Sequence, residues 1–266
     1  MPQCSPNHKY KIIKSLNIVM KKFLSAILMA SLGLTSVSAD NVFDDDETPG
    51  GWNFELPGVK VTKTKTNKEI TVSMNSSFSF GFITGINEAK DVSIDMGQSY
   101  ELEWGDVINL EARLGKRSFV GIGMGFDWRN YRVTDFKMFS KDERGIITMQ
   151  DYPEGTEPKF SRIHTFSLSF PLKYYYCIGK NVTFGIGPEL YFTPYGSLKT
   201  RYYDGNGDKQ KITAGNVHQN RFSLGVGAEV IIHHLGIYYK YDPFPVLRSS
   251  YGPKFSTMTV GLKVAF

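Results

Sequence analysis

The sequence predicts an all-β protein, specifically an eight-stranded antiparallel transmembrane up-and-down β-barrel. Three observations predict this fold. Apolar and non-apolar residues alternate with a period of two from residue 70 onward, the connections are short and long in turn, and the last segment ends on an aromatic residue. Such alternation is typical of strands with two different faces. Lipid accepts only a sheet that closes on itself, because each unpaired backbone group there costs several kcal/mol.

Eight alternating segments are predicted to form the barrel wall. The clearest, residues 120–128, has large apolar residues at even positions and mainly glycine at odd positions. The seventh segment is the weakest, because Pro243 and Pro245 have no N–H to donate to a strand ladder. The predicted strands span residues 70–86, 99–114, 118–134, 160–177, 181–198, 219–233, 236–245 and 254–266.

The connections between these strands alternate in length. Short turns are predicted at 114–118, 178–180 and 233–235, and long polar loops near 87–98, 135–159, 199–218 and 246–253. Transmembrane barrels have short periplasmic turns and long extracellular loops. The pattern therefore predicts both the even strand number and the direction of the chain in the membrane.

The two faces of the strands differ in chemistry. The bulky apolar face is predicted to contact lipid, and the other face to line a lumen that is only wide enough for side chains. Its charges have both signs, so we expect them to neutralise one another and fill the lumen. The alternative is the solvated face of a soluble β-sandwich. The predicted lumen charges are Glu111, Arg113, Asp127, Arg129, Lys173, Glu189, Arg221, Glu229, Lys240, Asp242 and Lys263.

The start of the sequence has the pattern of an export signal. Met20 is followed by two lysines, the stretch 23–34 is apolar, and small residues lead to Ala39. This pattern predicts a secretory signal peptide that is cleaved after Ala39, so residues 1–39 are a removed leader. An N-terminal helical anchor is the alternative. Residues 40–69 are predicted to form an acidic periplasmic segment, with a small extra strand as the alternative, and residues 70–266 the barrel.

The net charge gives no support to a nucleic-acid partner. The 31 Lys and Arg outnumber the 26 Asp and Glu, but five of the lysines and none of the acids lie in the leader. The remaining chain is formally neutral, so the basic isoelectric point belongs to the leader. We expect no nucleic acid among the partners of this protein.

The C-terminal run carries a resemblance to a known class. Thr259, Gly261, Val264 and Phe266 stand in the order polar, glycine, apolar and terminal aromatic, which resembles the insertion signal of bacterial outer-membrane β-barrels. Across residues 70–266 the chain resembles the small barrels of the porin-like, OmpX and PorT type. The resemblance implies integral outer-membrane localisation. It also implies outer-membrane lipid, lipopolysaccharide and the barrel-assembly machinery as partners.

No catalytic, cofactor or metal site is predicted. The glycines of 121–125 are not followed by a helix, and residues 204–208 lack the later glycine and acid of a calcium loop. His164 falls on the opposite face from Ser167 by parity. We therefore expect a non-enzymatic protein with a structural or surface-binding role through its extracellular loops, whose ligand the sequence does not identify. A narrow channel for small or hydrophobic solutes and a lipid-modifying enzyme are the alternatives.

Overall fold

The computed structural model describes residues 76–89, 93–134, 137–179 and 181–265, and the backbone of 53–55, 60–62 and 70–73. Within these ranges the chain is all-β. No helix in this part of the chain has the length and apolar character needed to cross a membrane. The strands are β1 Asn53–Glu55, β2 Lys60–Thr62, β3 Ile70–Ser73, β4 Ser77–Ile86, β5 Tyr100–Arg113, β6 Ser118–Arg132, β7 Lys137–Lys141, β8 Ile147–Asp151, β9 Glu157–Ile178, β10 Val182–Tyr203, β11 Lys209–Gly215, β12 Phe222–Ile232, β13 Leu235–Asp242 and β14 Ser256–Ala265.

Eight of these strands form a closed antiparallel wall in the order β4-β5-β6-β9-β10-β12-β13-β14. The ring closes because β14 pairs with β4 along its whole length, from Ser256 opposite Ile86 to Ala265 opposite Ser77. Every backbone edge of the wall is therefore paired within the chain. The predicted eight-stranded antiparallel barrel is confirmed.

Two strands, β3 and β4, pair with different parts of β5 at the start of the wall. β4 pairs with β5 at residues 100–105, and β3 pairs with β5 at residues 109–112. Between these two stretches β5 has a bulge, in which Asp106 adopts a positive φ of 54°. The bulge adds two residues to β5 relative to β6, so the odd residues of β5 face inward on both sides of it.

Two short strands precede the wall. β1 and β2 form an antiparallel pair, and β2 contacts β3 through Thr62 opposite Thr71. The segment 40–69 thus contains the strand pairing that the sequence offered only as an alternative. The remainder of that segment, the leader and Ala39 lie outside the described residues.

The long connections contain more strand than the sequence predicted. β7 and β8 form a hairpin within 135–159, and β11 folds back onto the outer part of β10 within 199–218. β9 and β10 are each 22 residues long. A strand needs only about 9–11 residues to cross a bilayer, so each of these two strands is about twice that length.

A second bulge lies in β10. The pairing with β9 shifts between Phe192 and Tyr195, where Pro194 has no N–H for the ladder. Before the shift the buried side chains fall on odd positions, and after it they fall on even positions such as Leu198 and Thr200. In the outer third of β10 the side chains at even positions therefore point inward, although the parity of the rest of the strand predicts that they point outward.

The barrel is apolar outside and polar inside. In β4, for example, Phe78, Phe80 and Phe82 are exposed on the outer face, whereas Ser77 and Ser79 are buried. Glycines make room for the large lumen residues. The side chain of Tyr238 lies against Gly81 and Gly261. A Cβ atom at Gly81 would collide with its hydroxyl oxygen, and one at Gly261 would come within 2.6 Å of a ring carbon.

Candidate functional site

The lumen is filled by one continuous network of buried ion pairs. Seven carboxylates and four cations take part, contributed by seven of the eight wall strands. Charges without a partner would be prohibitively costly away from water, so only their mutual pairing permits this filling. The members are Glu101, Glu103, Asp106, Asp127, Arg129, Lys173, Glu189, Glu229, Lys240, Asp242 and Lys263.

Arg129 holds together the part of the network nearest the loops. Its Nε lies 2.9 Å from Glu101 and 2.8 Å from Asp127, and its Nη1 lies 2.7 Å from Asp242. The guanidinium also lies over the ring of Tyr191, 4.5 Å from the ring centroid. One cation thus bridges carboxylates of β5, β6 and β13 across the barrel.

Three lysines connect the rest of the network. Lys240 contacts Glu101 at 2.9 Å and Glu103 at 3.0 Å, and it approaches Glu189 at 3.6 Å. Glu189 in turn contacts Lys173 at 2.6 Å.

The chain of contacts continues toward the turn end. Lys173 and Lys263 both contact Glu229 at 3.1 Å, and Lys263 reaches Asp106 at 3.0 Å. Hydroxyl groups add further bonds, since Tyr191 donates to Glu189 and Ser77 donates to Asp106. The network therefore spans the lumen along its length as well as across it.

An apolar cluster closes the loop end of the interior, and we call it the cap. It combines wall residues that point inward with residues from all four long connections. All of its members are at most 6 % exposed, which is unusual for segments that connect strands. The cap consists of Ile83, Ile94, Tyr131, Val133, Phe139, Ile147, Ile163, Leu198, Val217, Leu247 and Phe255.

The hairpin β7–β8 contributes the centre of the cap. Phe139 is 1 % exposed, and its backbone N–H donates to Ser161 of β9 while its carbonyl accepts from Thr200 of β10. Ile147 of β8 is tied by its N–H to the carbonyl of Tyr251 in the last long connection. These bonds hold the hairpin in place on the inner faces of β9 and β10.

The turn end of the lumen is closed by aromatic packing. Phe119 and Tyr175 stack with their ring centroids 4.7 Å apart, and Cys177 is buried beside them. Between the network and the cap lies a cavity of about 30 Å³ lined by Arg129, Tyr191, Thr193 and Asp242. A water molecule needs roughly 10–15 Å³ of such space, so the cavity has room for about two waters and not for a solute.

The structure brings most of the predicted lumen charges together. Asp127, Arg129, Glu189, Glu229 and Lys263 are buried members of the network, as are Lys173, Lys240 and Asp242. The other three predicted residues lie elsewhere.

Glu111, Arg113 and Arg221 do not join the ion pairs. Glu111 is half-buried and accepts a hydrogen bond from Asn109. Arg113 is the last residue of β5, and Arg221 directly precedes β12, so both lie where strands end and are exposed to solvent.

Three network carboxylates are absent from the predicted set. Glu101 and Glu103 share the odd parity of the predicted strand 99–114, which is a signal that could have identified them. Asp106 has even parity and was hidden by the bulge of β5. Its inward direction depends on a backbone conformation that the strand pattern does not encode.

The structure describes all residues of the predicted insertion signal except the last. Gly261 faces the lumen between Gly81 and Tyr238, and Val264 pairs with Phe78 at the seam between the first and last wall strands. Phe266 lies outside the described residues. The role of these residues in membrane insertion stays a prediction.

The residues considered for catalysis or metal binding are separated in space. His164 packs edge-on against Tyr195 on the outer face, whereas Ser167 and Ser169 are buried in the lumen. Within the described ranges no three His, Cys, Asp or Glu side chains are grouped to hold a metal ion.

The Asp-rich turn between β10 and β11 is held by its own hydrogen bonds. The carboxylate of Asp204 accepts from the side chain of Gln210 and from the N–H groups of Asp208 and Asn206. The bond from Gln210, followed by those backbone bonds, lowers the pKa of Asp204. The carboxylate oxygens of Asp204 therefore stabilise the turn.

Comparison with known proteins yields only distant similarity. No protein-family model matches the chain, and no curated protein matches it. Ail of Yersinia pestis is 14 % identical with a TM-score of 0.32, covering 72 % of this chain and 98 % of Ail, and its complex with the heparin analogue sucrose octasulfate gives 0.31 with the same identity and coverage. A triple mutant of Rhodopseudomonas blastica porin is 9 % identical with a TM-score of 0.19, covering 73 % and 100 %. At such scores the similarity carries no argument, so the barrel assignment rests on the strand pairing.

Proposed function

We propose that this protein is an integral outer-membrane β-barrel with a closed lumen, which acts through its outer surface in a structural or binding role and not as an enzyme. The observation that carries the proposal is the buried network of charges that fills the interior from wall to wall. A conducting pore needs a continuous water-filled path, and a lumen packed with paired side chains has none.

The membrane location is supported by the outer face of the wall. Large apolar side chains are exposed there on every wall strand, including Phe80, Leu110, Ile122, Leu172 and Val260. In water such a surface would drive association, since soluble monomers rarely expose contiguous apolar patches of more than a few hundred Å². The predicted signal peptide and C-terminal insertion signal provide the route to the outer membrane.

Two measurements test the proposal. Folded and boiled samples in detergent should differ in gel mobility, and the protein should require detergent for solubility. A protein that is soluble without detergent and shows no heat-modifiable mobility contradicts the membrane assignment.

Planar-bilayer recording tests the closed lumen. We expect no single-channel steps in concentrated KCl from protein whose insertion has been verified by protease protection in vesicles. An open porin in the same bilayers is the positive control. Reproducible ion-selective steps would favour the channel alternative over the closed barrel.

A further inference from the structure

A group of cations lies on the outward face of β6, β9, β10 and β11, beyond the part of the wall that carries the aromatic residues. Their strand neighbours Ser161, Ile163, Leu198 and Thr200 are buried in the interior, so by alternation these cations point away from it. We call this group the outer basic patch. It consists of Arg132, Arg162, Lys199, Arg201, Lys209 and Lys211.

The strand register places these cations side by side. Arg132 is opposite Arg162, and Arg162 is opposite Lys199. Arg201 is opposite Lys211 in the next row. Like charges directly opposite each other destabilise a sheet, so this arrangement is unfavourable unless an anion neutralises it.

The described part of the chain supplies no such anion. None of the six cations makes an ion pair within the described part of the chain. The neighbouring Lys159, by contrast, is paired with Glu157. The cations of the lumen also differ from the patch in this respect, because each of them contacts at least two carboxylates.

Phe160 organises the arginines of the patch. The guanidinium carbons of Arg132, Arg162 and Arg201 lie 5.5, 5.4 and 5.4 Å from its ring centroid. The Nε groups of Arg162 and Arg201 are buried and have no hydrogen-bond acceptor among the described residues. Arg132 also donates to the carbonyl of Lys159. Grouped guanidinium forks match the geometry of phosphoryl oxygens.

The height of the patch indicates which phosphoryl groups could reach it. On the same outer face, Trp128, Phe166 and Tyr195 each lie four residues nearer the turn end than Arg132, Arg162 and Lys199 on their own strands. Four residues span about 13 Å along a strand, or roughly 10 Å of height at the usual tilt. Since barrel aromatics mark the membrane–water interface, the patch lies just beyond it and faces sideways toward neighbouring lipids.

The opposite wall differs near its loop end. Across β13, β14 and β4 the outward row Tyr241, Met258 and Thr84 carries no charge. The patch is therefore a local feature of one side of the barrel. A general attraction to anionic surfaces would not require the cations to be grouped on one side of the barrel.

We propose that the outer basic patch binds the phosphoryl groups of a lipopolysaccharide molecule in the outer leaflet. The proposal rests on the proposed membrane function, because only an embedded barrel presents this face to lipid. A lipid occupant fits better than a soluble polyanion because the patch faces sideways from the wall, directly above its aromatic residues.

The test compares two double variants of the full-length protein refolded in detergent. Arg162→Gln with Arg201→Gln removes two charges of the patch. Lys116→Gln with Arg117→Gln removes two exposed charges from the β5–β6 turn at the other end of the barrel and is the matched control. Binding is measured by titration with intact lipopolysaccharide and with the same material after phosphatase treatment.

We expect the wild type and the turn variant to bind intact lipopolysaccharide about tenfold more tightly than the dephosphorylated form, the effect of about one charge-assisted hydrogen bond. The patch variant should lose this preference. Equal binding of both forms by the wild type, or an unchanged preference in the patch variant, overturns the proposal. Patch-dependent binding of a heparin oligosaccharide without any preference for phosphorylated lipid assigns the surface to a soluble polyanion and also overturns it.

Heat-modifiable gel mobility distinguishes a failure of the proposed lipid site from a failure of the proposed membrane function. A wild type that is folded and detergent-dependent but has no phosphate preference overturns only the lipid site. A wild type that is soluble and not heat-modifiable contradicts the membrane function itself. Each variant must show the mobility of the folded wild type before its binding is compared.

Discussion

The middle and the loop end of the barrel interior are filled by different kinds of chemistry. The middle of the lumen contains charges, of which Arg129 alone contacts three carboxylates, whereas the loop end contains an apolar cluster centred on residues such as Phe139. Both close the barrel, but a charge requires its partners and an apolar side chain requires only its volume to be matched. The lumen should therefore be sensitive to loss of charge, and the cap to loss of volume.

The largest expected effect is on the charged side of this comparison. Arg129→Met should destabilise the barrel by about 3–5 kcal/mol, because Glu101, Asp127 and Asp242 lose their shared cation while buried. Urea unfolding in lipid vesicles, followed by gel mobility, measures the change. Arg221→Met is the control at an exposed position and should change stability by less than about 0.5 kcal/mol. Equal effects of the two substitutions would show that the network does not stabilise the fold.

The apolar side should respond to truncation with a somewhat smaller loss. Phe139→Ala removes a fully buried ring from the cap and should cost about 3 kcal/mol. The loss should appear as faster hydrogen exchange of cap amides such as that of Ile147, because the hairpin is released. Phe244→Ala, at a half-exposed phenylalanine in another loop, should leave this exchange nearly unchanged. Unaltered cap exchange in Phe139→Ala would contradict a packed role for the hairpin.

The smallest effect concerns the pH dependence of the cap. His218 stacks on Tyr251 with 3.9 Å between ring centroids, and partial burial, then Lys141 and Arg248, lower its pKa. The unfolded segment therefore binds a proton more readily than the folded one below about pH 6.5. Local stability should rise with pH up to this value and fall as the solution is acidified. Exchange of the Val217 amide measures it.

A conservative variant checks the assignment of this pH dependence. His218 has a positive φ of 52°, which asparagine tolerates, so His218→Asn should fold and remove the dependence below about pH 6.5. Persistence of the same dependence in His218→Asn would assign it to another group.

The wall could be predicted from sequence because each strand has one apolar and one polar face. Each of the eight predicted segments overlaps a wall strand. The first, 70–86, divides into β3 and β4, and the seventh, 236–245, ends at Asp242, directly before Pro243. The hairpin β7–β8 and strand β11 could not be recognised in this way. They are five to seven residues long and largely polar, and they become strands by packing on β9 and β10.

The interior was predictable only where the strands are regular. Asp127 and Arg129 follow the simple parity of β6, and both are in the network. Asp106 escapes the pattern because it lies within the β5 bulge at a positive φ, although the odd residues of β5 face inward on both sides of that bulge. Leu198 escapes it because the β10 bulge shifts the register by one residue, which reverses the face of every side chain after it. Ile83 and Ile163, apolar residues at inward positions near the loop ends, were a sequence signal of the cap.

The pairing of β14 with β4 also governs the order of events during folding. It joins strands from the two ends of the barrel sequence, so the contact that completes the wall has the largest loop-closure entropy to overcome. Until Val264 and its neighbours reach Phe78, the sheet has two open edges whose N–H and C=O groups lipid cannot satisfy. For the membrane location proposed above, closure of the seam and entry into the bilayer would therefore be one coupled step, because a partly inserted sheet would need another strand or a protein partner along both edges.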